Sequence, residues 1–222
     1  MTKEYQYNSF DEAMEAVKGN LKYFDKVNPS IQTPEMAEIA VKKRWSNFQY
    51  VRPDLQTPEL ALMAVKKNPC NFGIVRPDLN FQFVRPDLQT PKMAEIAVKK
   101  NPCNFRFVRP DLQTLEMAEI AAGWWGRNIE YVREDLLTTE LAEIAVRLDN
   151  WALEYVPAHL ITPELALEAV KDGGWNLEHV PANCQTKKVI EAALKQSPSA
   201  KQYIKVKGLI MEALDEDPSE TH

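Results

Sequence analysis

The chain has 222 residues, 45% hydrophobic and 27% charged, the balance of an ordinary soluble protein long enough to bury one or two cores. Its formal net charge of −5 and pI near 5.4 exclude a generally basic surface of the kind that displaces phosphate counterions. No run approaches ~20 consecutive apolar residues, so no membrane-spanning helix is expected, and the opening MTKEYQYNSFDEAMEAV lacks the apolar stretch of a signal peptide.

In chain order the sequence is a 24-residue repeat. NSFDEAMEAVKGNLKYFDKVNPSI (8–31) is followed by QTPEMAEIAVKKRWSNFQYVRPDL (32–55) and QTPELALMAVKKNPCNFGIVRPDL (56–79). After the fragment NFQFVRPDL (80–88) come QTPKMAEIAVKKNPCNFRFVRPDL (89–112) and QTLEMAEIAAGWWGRNIEYVREDL (113–136). LTTELAEIAVRLDNWALEYVPAHL (137–160), ITPELALEAVKDGGWNLEHVPANC (161–184) and a diverged copy from Gln185 complete the series. Eight units result, and within 8–208 only residues 80–88 fall outside the count.

Each unit reads as two short helices. Thr33-Pro34, Thr57-Pro58, Thr90-Pro91 and Thr162-Pro163 are helix starts, with a capping hydroxyl before a proline suited to the first turn. In the first helix Met36, Ile39, Ala40 and Lys43 follow helical spacing, and Ala37 and Val41 widen the apolar face. Recurrent alanines (Ala37, Ala40, Ala61, Ala64) let neighbouring helices approach. Asn68-Pro69, Asn101-Pro102 and Ser197-Pro198 open a second helix, which carries Phe48, Tyr50 and Val51 and ends before Pro53. Helices this short are marginal alone, so the units must stack. The expected fold is all-α: an α-solenoid of about eight 24-residue helix-turn-helix repeats over 8–208, with one truncated repeat at 80–88. That fragment matches Asn47–Leu55 and lacks a first helix. A bend at 79–88 is expected, with Phe81, Phe83 and Val84 buried; the alternative is a bulge that leaves 56–79 stacked on 89–112. Residues 209–222 are expected to form a capping helix and a disordered acidic tail.

The recurring AVK, the LEYV or FQYV segment and the return loop resemble the short helical repeats of domain of unknown function 4116. Leu167-Glu168-Ala169-Val170-Lys171 and Leu177-Glu178-His179-Val180 carry the resemblance, which covers 8 to about 208. It implies an uncharacterised phage or bacterial repeat protein with no assigned catalytic residues, in a setting where it blocks a host or defence component. The 24-residue length is also similar to leucine-rich-repeat variant proteins, which alternate α and 3₁₀ helices, although the phrases match that family less well.

No phosphate-binding, dinucleotide or zinc-protease motif is present, and no enzyme activity, cofactor or metal is expected. His179 stands where Tyr50 and Tyr155 stand and reads as a half-buried helix residue; His159 replaces the Asp of VRPDL. Cys70, Cys103 and Cys184 lack ligand spacing, and a reduced, cytoplasmic state is expected.

Four ladders remain. Glu35, Glu38, Glu59, Glu95, Glu116, Glu119, Glu140, Glu143 and Glu164 read as a solvated face with local pairs. Lys42-Lys43, Lys66-Lys67 and Lys99-Lys100 sit where cations meet the helix dipole. Arg52, Arg76, Arg85, Arg109 and Arg133 each precede an acid by two positions and read as structural pairs. The tryptophans, Trp45, Trp124, Trp125, Trp151 and Trp175, all lie at the turn between the two helices. The leading reading is a non-enzymatic scaffold that binds a protein through these five residues. The alternative is a nucleic acid or nucleotide-like anion held by Lys42, Lys66, Lys67, Lys99, Lys100, Arg52, Arg76, Arg85 and Arg109, which the acidic total disfavours.

Overall fold

The computed structural model describes residues 4–19, 24–67 and 84–206. Arg76, Cys70, Phe81, Phe83, residues 79–83 of the expected bend and the whole of 209–222 lie outside them. The described residues are all-helical and form no strand. One isolated bridge joins Tyr7 to Val27. The chain divides into two compact units, Met1–Gln113 and Thr114–His222.

Among the described residues eight α-helices recur at the repeat spacing, lengthened by nine residues before the fourth. The first unit holds α1 (Phe10–Lys18), α2 (Pro34–Lys43), α3 (Pro58–Lys67) and α4 (Pro91–Lys100). The second holds α5 (Leu115–Trp124), α6 (Thr139–Leu148), α7 (Pro163–Asp172) and α8 (Lys187–Gln196). The threonine caps form as the sequence implies. Thr33 Oγ1 accepts from Met36 N at 3.3 Å. Thr114 and Thr138 cap without a following proline, at 3.3 and 3.1 Å. In each of α2 to α7 four residues are buried, as with Met36, Ala37, Ala40 and Val41. Ile39 is only half-buried. Within each unit every helix packs on the next, α1 on α2 through to α4 and α5 on α6 through to α8. The alanines at the contact leave room for that approach.

Among the described residues the second helix of a repeat is a 3₁₀ helix, not an α-helix, in six repeats: Trp45–Tyr50, Pro102–Phe107, Gly126–Tyr131, Asn150–Tyr155, Gly174–Glu178 and Pro198–Tyr203. A further three-residue 3₁₀ turn follows, as at Pro53–Leu55. Six residues give an α-helix too few hydrogen bonds to offset nucleation, whereas the tighter 3₁₀ pattern is used in short pieces.

Two buried amides pin this segment. Asn47, Asn104, Asn128 and Asn176 each donate Nδ2 to the carbonyl seven residues earlier, of Ala40, Ala97, Ala121 and Ala169, at 2.8–3.1 Å. They serve the open C-terminal end of the α-helix. The glutamine that opens a repeat does the second job. Gln32 donates to Tyr50 O at 3.0 Å and accepts from Arg52 N at 2.7 Å. Gln89 and Gln185 repeat this with Phe107 O and Arg109 N, and with Tyr203 O and Lys205 N. Gln185 also reaches Leu177 O and Val180 O of the preceding repeat.

Lys43 is not a core position but a latch. Its Nζ donates to Lys18 O and Gly19 O, at the end of α1. Lys67 does the same to Lys42 O. Lys100 donates to Val65 O at 3.2 Å and to Lys66 O. This last contact bears on the fragment 80–88. The usual latch spans 25 residues, and this one spans 34, so the nine extra residues leave α4 packed on α3. Val84 and Leu88 are buried, and Pro86 O accepts from Arg109 at 3.1 Å as Pro29 O does from Arg52 at 3.3 Å.

The latch predicts unequal costs for adjacent lysines. Lys43→Met is expected to lose about 1 kcal/mol, the scale of a cation on helix-end carbonyls. Lys42→Met, which breaks an exposed pair with Glu38, is expected to lose at most about 0.5 kcal/mol. Urea unfolding of the two variants measures the difference.

Candidate functional site

The five tryptophans are divided between the two units. Trp45 lies in the first unit and is half-buried, as is Trp175 in the second. Trp124, Trp125 and Trp151 are exposed, at 68%, 48% and 43%. All three stand in the second unit, where α5 packs on α6 and α6 on α7.

Counting each repeat from its opening residue, Arg127, Trp151 and Trp175 occupy the same fifteenth position in three successive repeats. They stack. The Arg127 guanidinium lies over the Trp151 ring, 5.2 Å from its centroid. On Trp151 the Trp175 ring packs at 5.0 Å between centroids, with planes tilted by 35°. Asp149 ties the column down: its Oδ2 is 3.2 Å from Arg127 Nε, and its Oδ1 accepts from Trp151 N at 3.0 Å. A cation between an indole face and a carboxylate is favoured twice, by the ring quadrupole and by charge.

Trp124 has a different origin. It occupies the twelfth position, where Lys43, Lys67 and Lys100 form the latch. Leu148 follows at that position in the next repeat and is 57% exposed. Losing the lysine turns a self-capping edge into an apolar one. The sequence carried this signal, since the Lys-Lys pair becomes Gly123-Trp124 and Arg147-Leu148, but nothing in it marked Leu148 as part of a surface.

A cleft of about 250 Å³ between α6 and α7 adjoins this edge. Arg147, Leu148, Asp149, Asn150, Glu168 and Asp172 line it. A second hollow of about 280 Å³ shares Arg147 and Glu168 and adds Glu143 and Glu164. The apolar edge therefore runs into an acidic groove through Leu148.

The residues of the anion alternative are placed otherwise. Lys67 and Lys100 hold helix-end carbonyls, as described. Lys42 pairs with Glu38, and Lys99 with Glu95 at 3.0 Å. Arg52 pairs with Asp54 at 2.6 Å, Arg85 with Asp87 at 3.0 Å and Arg109 with Asp111 at 2.6 Å. Lys66 is exposed. The Arg52 hydrogen bond holds the Asp54 carboxyl below the usual carboxylate range, and the Asp111 hydrogen bond raises the Arg109 guanidinium.

Cys184 is buried, its Sγ donating to Ile161 O at 3.0 Å, and burial pushes its thiol up. That is the setting of an inert packing residue. His159 is exposed and His179 half-buried. Among the described residues no group of three or more His, Cys, Asp or Glu is placed to hold a metal ion, and no helix is long and apolar enough to cross a membrane. No family model matches the chain, and no curated protein matches it.

Proposed function

We propose that the chain is a non-enzymatic, cytoplasmic α-solenoid of the domain of unknown function 4116 type, a scaffold that binds a protein partner through the tryptophan edge of its second unit. The observation that carries this reading is the exposure of Trp124, Trp125, Leu148 and Trp151 in consecutive repeats. Exposed aromatic clusters are uncommon on a monomer surface, and tryptophan is enriched among residues that dominate binding energy. The stacking of each helix on the next within each unit supports the solenoid. The alternation of α and 3₁₀ helices is also what similarity to leucine-rich-repeat variant proteins implies.

Site-specific photo-crosslinking tests the reading. A photoreactive phenylalanine analogue replacing Trp124 or Trp125 in the full chain should yield protease-sensitive, nuclease-resistant adducts in cells. The same group replacing exposed Glu38 of the first unit should not. Equal adducts from all three positions, or nuclease-sensitive adducts from the tryptophan edge, would sink it.

A further inference from the structure

We infer that the segment docking on the tryptophan edge is a basic one, bearing arginines and few carboxylates. This rests on the proposed function and adds the chemistry of the partner. Three observations carry it.

Charge is divided unequally along the chain. Residues 1–113 hold 17 Lys and Arg against 13 Asp and Glu, whereas residues 114–222 hold 10 against 19. The net −5 of the whole is a basic-leaning first unit beside a strongly acidic second one. The tryptophan edge belongs to the acidic unit.

That acidity reaches the edge itself. Leu148 shares its cleft with Arg147, Asp149, Glu168 and Asp172, and the hollow next to it, also lined by Arg147, adds Glu143 and Glu164. Glu168 pairs with Lys171 at 2.9 Å, and carboxylates still outnumber these two cations. Glu143, Glu164, Glu168 and Asp172 are all exposed. A segment laid along Trp124, Trp125 and Leu148 meets these carboxylates, so an acidic or phosphorylated partner is repelled and a basic one attracted.

The column of Arg127, Trp151 and Trp175 shows what this surface does with a guanidinium. Arg127 rests on the Trp151 indole while its Nε faces Asp149 at 3.2 Å. A planar guanidinium lies on a ring face while its edge meets a carboxylate, which a compact ammonium does less well. Trp124 and Trp125 expose indoles in the same acidic unit, so an incoming arginine is offered the two partners, indole and carboxylate, that Arg127 already uses within the chain.

Titration of the full chain with three twelve-residue peptides, (Arg-Gly-Leu)₄, (Lys-Gly-Leu)₄ and (Glu-Gly-Leu)₄, tests this, read by tryptophan fluorescence at low and physiological salt. The arginine peptide is expected to bind at least about tenfold more tightly than the glutamate peptide and several-fold more tightly than the lysine peptide, weakening with salt. Trp124→Ala/Trp125→Ala is expected to weaken it about tenfold, and Glu168→Gln/Asp172→Asn about fivefold. All four side chains are exposed, and circular dichroism melting checks that both variants stay folded.

Equal binding of the three peptides, no binding of the arginine peptide at low salt, or no loss in the Glu168/Asp172 variant overturns the inference. Salt-sensitive self-association of the chain, abolished by Trp124→Ala, overturns it in favour of a second copy. The cellular crosslinks separate the two readings. Adducts from Trp124 that survive Glu168→Gln/Asp172→Asn, with no peptide preference, leave the edge a binding site and remove the basic partner. Loss of the adducts' position dependence removes both.

Discussion

Arg52→Pro is expected to destabilise the first unit by about 2–3 kcal/mol and Gln32→Leu by a similar amount, while the double variant loses at least ~1 kcal/mol less than their sum. The prediction comes from the amide staple. Gln32 is 4% exposed, and its Oε1 accepts from the Arg52 N–H. A proline at 52 fits the backbone, since Arg52 has φ −53° and Val51 has φ −71° and ψ 132°, both suited to a proline and the residue before it. What the single change removes is the donor, leaving a buried acceptor without its partner, together with the guanidinium contacts to Asp54 and Pro29.

Gln32→Leu leaves the complementary orphan, a backbone N–H. Replacing both partners by apolar groups removes the penalty, and the guanidinium losses cancel in the cycle. The chain has made this exchange twice. Where the opening residue is Leu137 or Ile161, the residue twenty later is Pro157 or Pro181, neither with an N–H to offer. Where it is Gln32, Gln56, Gln89, Gln113 or Gln185, the residue twenty later is Arg52, Arg76, Arg109, Arg133 or Lys205, each with an N–H. Urea unfolding of the four proteins, followed by circular dichroism, measures the coupling. Costs that add within ~0.3 kcal/mol would show the staple to be incidental.

Gly126→Ala is expected to cost about 3 kcal/mol, the upper end of the range for overpacking, while Gly123→Ala, three residues away, is expected to gain about 0.5–1 kcal/mol. A Cβ on Gly126 would lie 2.2 Å from Ala145 O and 3.0 Å from Asp149 Cβ. The clash is with backbone, so no side chain can swing aside. Gly174 is placed alike, its Cβ falling 2.4 Å from Ala193 O. Both glycines precede a repeat whose buried asparagine is replaced by alanine, Ala152 or Ala200. With no side-chain amide over the helix-end carbonyl of Ala145 or Ala193, the preceding repeat closes on it, and only glycine fits.

Gly123 is inside α5 and has nothing within 4 Å of its Cβ direction, so alanine there adds helix propensity and no contact. Thermal melting should move in opposite directions for the two variants. A neutral Gly126→Ala would mean that the layers at this point are looser than described.

The glycines at these turns differ in what they accommodate. Gly173 makes room for a tryptophan, with Trp175 Cζ2 3.0 Å from where its Cβ would be. Gly126 and Gly174 make room for the next helix, and Gly123 for nothing.

By itself the sequence determined the repeat, its length, its threonine caps and its alanine-rich contact face, because these are local or periodic properties written at fixed spacing. It also held the glutamine–proline exchange, but as a pattern without a cause: two residues twenty apart are linked only when the chain folds back to bring an amide to a backbone N–H. The tertiary structure alone decided that the second helix is 3₁₀, that Lys43, Lys67 and Lys100 latch the preceding repeat, and that the nine residues of 80–88 leave α4 stacked on α3. It also separated the tryptophans into three exposed and two half-buried, since exposure depends on what a neighbouring repeat covers. That Leu148, at the latch position, joins the tryptophan edge to an acidic groove followed from the packing of α6 on α7, which no single repeat specifies.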